Sequence, residues 1–190
     1  MSPSELLCMA SLAAVLGVAV FGDLRTRRIP NALVATGIAL GFFFQAVAPA
    51  GNGLFARWWG AIGPLQGLYG LLAGLALFMP FYMLRAFGAG DVKLLGMVGV
   101  WFGPKPMIGV FLLTLLAGGV LAVAVALWNR SLGQALGNIR FMVTDTVVRV
   151  ATGGSGQVTA PARTSGRLPY ALAVAVGTAL EVVLMQGWWR

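Results

Sequence analysis

Apolar runs without charge recur along the chain near 5–22, 31–48, 64–85, 92–103, 107–128 and 168–188, separated by short stretches carrying Arg, Lys, Pro and Gly. Roughly 20 apolar residues span a bilayer as a helix. The pattern therefore predicts an all-α, polytopic membrane protein with six transmembrane helices, forming a single membrane-embedded domain over residues 1–190. The first run lacks the basic segment of a secretory signal peptide and is followed by further spans, so it reads as a retained helix.

The fourth run is short, because Lys93 and Lys105 bound it and Pro104 and Pro106 follow its apolar part. A helix from Asp91 to Gly103 is only about 20 Å long at 1.5 Å per residue. Either the bilayer thins around it, or it begins below the surface and carries Asp91 down with it.

Six crossings put the loops at 23–30, 86–93 and 129–167 on one side. Most of the 13 basic residues fall on or beside them, and only Arg57, Lys105 and Arg190 fall opposite. The positive-inside rule makes the basic side cytoplasmic, which places the protein in the cell inner membrane with that face inward. Within the longest loop, Leu132, Leu136, Ile139, Val143 and Val147 recur at helical spacing beside Arg130, Arg140 and Arg149. This predicts a basic amphipathic helix at about 129–151 lying on the lipid surface. The Gly-, Ser- and Thr-rich stretch at about 152–166 reads as a flexible linker.

Composition narrows the chemistry. The chain is 59% hydrophobic before its 27 Gly are counted, and 9% charged, against about 25% charged in soluble domains. The net charge of +8 is not clustered with stacking aromatics, so no nucleic-acid partner is expected. With no His and a single Cys, Cys8, a Cys/His zinc site, an intrachain disulfide and a Cys–His nucleophile pair are all excluded. No metal and no cofactor is expected, and carboxylates, hydroxyls, Lys and Tyr remain as reactive groups.

Two of the five acidic residues stand out. Asp23 ends the first segment and Asp91 begins the fourth, each directly after a glycine. Two full crossings lie between them, so both carboxyls emerge at the same face. Neighbouring carboxyls cannot both ionise cheaply, so one keeps a proton while the other takes one from water, and that water can attack a carbonyl carbon. Gly88 and Gly90 permit unusual backbone angles and close approach of another chain. The alternative is structural: each Asp pairs with Arg25 or Lys93 at a helix end, and Asp91 is favoured there by the helix dipole. Residue types alone leave the two readings level.

The stretches FGDLRTRRIPN (21–31) and GAGDVKLLG (88–96) resemble the two active-site motifs of the type IV prepilin peptidases, GxGD-class intramembrane aspartic proteases. RLPYALAVAVG (167–177) is similar to the Pro-Tyr-Gly stretch opening that family's last helix, with Ala171 in place of the glycine. The resemblance implies that Asp23 and Asp91 are the catalytic pair, with Gly88, Gly90, Lys93, Pro169 and Tyr170 supporting. It implies an aspartic endopeptidase that removes short basic leaders from prepilin and pseudopilin precursors at the cytoplasmic face of the membrane. Larger family members add two Cys-x-x-Cys pairs and methylate the new N-terminus. This chain lacks those cysteines and looks like the short, peptidase-only form associated with Flp (tight adherence) pili. Archaeal preflagellin peptidases share the short form. Presenilin-type proteases share GxGD, but their Pro-Ala-Leu motif is absent here.

Other polar positions have plainer readings. Arg25, Arg27 and Arg28 hold the loop inside; Lys93 either reaches the headgroups or contacts Asp23. Glu181, nearer the outer end of the last helix, either reaches outward or hydrogen-bonds a neighbouring helix. Trp58, Trp59, Trp188 and Trp189 form an aromatic belt. The competing class is a proton-coupled transport subunit, which should carry repeats or broken midplane helices; only a Gly-Asp echo at 22–23 and 90–91 is present.

Overall fold

A computed structural model describes residues 3–48, 62–83, 87–128 and 169–187, with single positions at 130, 133, 137, 140, 144 and 148. Six continuous helices run through the described residues: α1 (Pro3–Thr26), α2 (Asn31–Val47), α3 (Pro64–Met83), α4 (Ala89–Phe102), α5 (Pro104–Trp128) and α6 (Tyr170–Gly187). No strand occurs among the described residues. Three stretches, Leu6–Thr26, Pro64–Met83 and Pro104–Trp128, are long and apolar enough to cross a membrane, while α2 and α6 contribute shorter apolar helices. Positions 133, 137, 140, 144 and 148 are helical and exposed. The apolar stripe expected there, the linker at 152–166 and the four belt tryptophans lie outside the described residues.

The short helix is the axis of the molecule. Every residue of α4 from Leu94 to Phe102 is buried, with Trp101 at 1% exposure. A helix walled by protein does not have to match the hydrocarbon thickness with its own length, since its neighbours meet the lipid. On α5 the outward residues Leu112, Leu116 and Val120 are all more than half exposed.

Glycines bring the walls onto this axis. A Cβ at Gly70 of α3 would run into the carbonyl oxygen of Gly99, and one at Gly74 would sit 2.6 Å from that of Leu95. Without side chains the α3 and α4 backbones touch directly, the close packing that membrane helices use in place of a hydrophobic driving force. On the other side Gly37 and Gly41 of α2 leave room for Met97 and Trp101. The Trp101 indole donates to the Gly37 carbonyl at 3.1 Å.

The end of α4 is capped from α2. The Gln45 amide donates to the carbonyls of Val100 (3.2 Å) and Trp101 (3.4 Å), groups with no partner inside the helix. Gly103 then turns the chain at φ 77°, a conformation closed to most residues, and Pro104 opens α5 at once. The sequence reading started the fifth helix later, at 107. Both prolines are instead accommodated in the first turn of α5, where a missing N–H costs nothing.

Candidate active site

Asp23 and Asp91 lie at the same end of the bundle. Helix α1 runs on past the apolar segment to Thr26, so Asp23 sits inside its last turn rather than after it. The turn closes through the Arg27 N–H on the Asp23 carbonyl at 2.9 Å, and Arg27 adopts φ 54° as the chain leaves the helix. The Thr26 hydroxyl bonds the Gly22 carbonyl at 2.8 Å and reaches that of Arg28 at 3.4 Å, folding the loop back on the helix end.

The Asp23 side chain points inward, 7% exposed, where its Oδ2 accepts the backbone N–H of Ala171 at 3.0 Å. Ala171 lies in the first turn of α6, whose leading N–H groups have no intrahelical acceptor. The carboxylate therefore satisfies a donor at the positive end of a helix. Pro169, just before α6, contributes its carbonyl to the Leu172 N–H.

Asp91 is the third residue of α4, and its Oδ2 accepts the Gly88 N–H at 3.1 Å. That is one half of a capping box, since Gly88 has no side chain to complete the other half. Asp91 is close enough to Asp23 for the two charges to act on each other, and close enough to Tyr170 to act on its hydroxyl.

The loop after Asp23 braces the start of α4. A Cβ on Gly90 would meet the Ile29 side chain at 3.5 Å, and the Lys93 ammonium donates to the Asn31 Oδ1 at 3.1 Å. Of the two partners weighed for Lys93, neither headgroup nor Asp23 takes this bond; the start of α2 does. Gly88 has an ordinary extended conformation, φ −79° and ψ 154°, so it is not held by an unusual backbone angle.

Tyr170 closes the far wall. Its ring lies 4.3 Å from that of Phe87, which stacks on Phe78 at 4.9 Å, and Phe111 of α5 meets Phe78 edge-on at 5.3 Å. Its hydroxyl rests where a Cβ on Gly118 would come within 2.5 Å. Phe87 directly precedes Gly88, so the aromatic cluster ties the turn holding Asp91 to the helix holding Asp23. The sequence reading missed Phe87, Ile29, Asn31 and the Ala171 N–H. Asn31 closes the first quoted motif and Phe87 borders the second, whereas a backbone donor leaves no mark in residue identity.

Glu181 stands apart from this cluster. Its carboxyl lies over Gly109 of α5, ten residues beyond Ala171 and so roughly 15 Å along the helix axis.

A helical body with an apolar exterior and two acids at one end, Asp23 buried and Asp91 partly exposed, defines a membrane-embedded helical protein. A sequence model of the type IV leader peptidase family matches residues 10–123, a stretch that takes in both Asp23 and Asp91. The chain belongs to that family, and it is a peptidase. No curated protein and no solved structure matches it.

Proposed function

We propose that this protein is an aspartic endopeptidase that cuts the leader from Flp-type pilin precursors and pilin-like proteins at the cytoplasmic face of the inner membrane. The observation that carries this reading is the placement of two carboxyls from distant helices at one end of the bundle, near enough for the charge of one to act on the other, each oriented by a backbone N–H.

The chemistry follows from one proton shared by two acids. The ionised carboxyl draws a proton from a water molecule as its oxygen attacks the scissile carbonyl carbon. The protonated carboxyl gives its proton to the carbonyl oxygen, producing a neutral gem-diol. Collapse of that intermediate breaks the C–N bond and delivers a proton to the leaving amine, and the pair again holds one proton. The proton belongs to the pair rather than to either residue. Tyr170 and Phe87 hold the two supporting turns in register, and Lys93 with Asn31 pins the loop that follows Asp23. Peptidase action without N-methylation is the expected scope, since the chain's one Cys leaves no Cys-x-x-Cys pair.

The test is co-expression of a Flp-type precursor with the wild type, Asp23→Asn or Asp91→Asn, with cleavage read as a mobility shift at matched membrane levels. Loss of cleavage in both variants is the expected result. Cleavage by either variant at the wild-type rate would reject the acid pair.

A further inference from the structure

Between α1 and α6 an apolar groove of about 450 Å³ opens on the side of the bundle. Leu12, Leu16 and Gly17 form one wall, and Ala175, Thr178 and Ala179 the other. Both walls lead to the acid site. Positions 9, 12, 16, 20 and 23 share one face of α1, so Asp23 stands on the groove-lining face, about 10 Å above Leu16. On α6 the same relation carries Thr178 through Ala175 to Ala171, whose N–H holds Asp23. The groove therefore points toward the Asp23–Ala171 hydrogen bond, its last lining residues on that side, Gly17 and Ala175, lying about one to two helical turns from it.

We propose that this groove receives the transmembrane helix of the precursor, so that the peptide bond just beyond the helix end lies against the acid pair. The assignment rests on the peptidase reading above and adds where its substrate docks.

The lining suits a helix better than a lipid chain. Membrane helices associate by packing, and small residues let their backbones approach. Ala13, Gly17 and Ala179 are small and exposed, and a Cβ at Gly17 would have nothing within 4 Å. Thr178 supplies the second observation. It is 2% exposed, it lines the groove, and its hydroxyl has no hydrogen-bond partner among the described residues. An acyl chain offers that hydroxyl nothing, whereas a helix can present a polar side chain at its depth. A second copy of the protein seated here would block the approach to Asp23.

The test uses the full-length chain in its membrane, with a Flp-type precursor as the probe. A photo-crosslinking residue at Ala13 or Val183, on the groove lips, in an Asp91→Asn background that leaves the precursor uncut, should trap the precursor's apolar segment. The same residue at Leu112 or Leu116, on the lipid-facing side of α5, should not. In the active protein, Gly17→Leu fills the groove and should raise KM for the precursor about tenfold, while Val120→Trp on the α5 surface leaves KM unchanged. Trapping at the groove alone, with the KM increase, supports the assignment. If the wild type cuts the precursor but α5 traps it equally, or the groove traps only lipid or a second copy, the docking site is overturned and the peptidase stands. If the wild type cuts no Flp-type precursor, the proposed substrate fails, and the docking site with it.

Discussion

The carboxylate of Asp23 accepts the backbone N–H of Ala171, a residue 148 positions further along the chain, at 3.0 Å. One acid of the proposed pair is thereby held by the last helix of the fold. The other, Asp91, is held by the turn into the central helix.

That bond should separate stability from activity. A hydrogen bond contributes about 0.5–1.5 kcal/mol net, rising to about 1.5–3 kcal/mol when one partner is charged. Asp23→Ala removes the acceptor and should lower the unfolding temperature of the detergent-solubilised protein, whereas Asp23→Asn keeps an acceptor oxygen and should stay close to wild type. Both should be inactive. Equal unfolding temperatures for the Ala and wild-type proteins would deny the bond a structural role.

The direct contact of α3 with α4 makes a second prediction. Gly70→Leu has to push the two backbones apart, so the variant should be depleted from the membrane or unfold well below the wild type. Gly119→Leu, at a position where a Cβ meets nothing within 4 Å, is the matched control and should behave as wild type. Size-exclusion profiles and membrane levels of the two variants decide it.

Tyr170 should act through its ring. Tyr170→Phe keeps the contacts with Phe87 and Phe78 and should retain most of the cleavage. Truncation of a buried aromatic ring to Ala costs about 3–5 kcal/mol at full burial, and Tyr170 is only partly buried. Tyr170→Ala should therefore cost less than that, yet lower kcat by loosening the turn that holds Asp91. A Phe variant as inactive as the Ala variant would give the hydroxyl a role of its own.

Lys93 and Asn31 should behave as one unit. Lys93→Met and Asn31→Ala each remove the same 3.1 Å bond at an exposed position, so each should lower cleavage by less than about tenfold. Residues in contact are not additive, and the double variant should match the single ones. Additive losses in precursor cleavage would show that the two residues act separately.

The segment pattern and the positions of the two aspartates at helix ends were readable in the sequence because they depend on short-range rules. Apolar length marks a helix, and Gly-Asp at two helix ends marks a candidate site. The placement of α4 was not readable, since a short apolar run looks the same whether a bilayer or four other helices surround it. Its burial follows from Gly70, Gly74, Gly37 and Gly41 lying opposite it, and glycine is too common in this chain for those four to stand out. The clamp on Asp23 was hidden for a different reason. Its donor is a main-chain N–H, and nothing at position 171 announces that its backbone faces an acid.

The Asp23 clamp also sets an order of assembly. A polypeptide emerging from the ribosome acquires Asp23 first and Asp91 some way later, and domains begin to fold from the N-terminal side during synthesis. Until Tyr170 and Ala171 have been made, Asp23 lacks the Ala171 N–H and Phe87, already stacked on Phe78, lacks the Tyr170 ring. The Asp23 anchor is therefore complete only when α6 has packed against α1, so a chain that has not yet made α6 carries both acids without the main-chain donor that holds one of them.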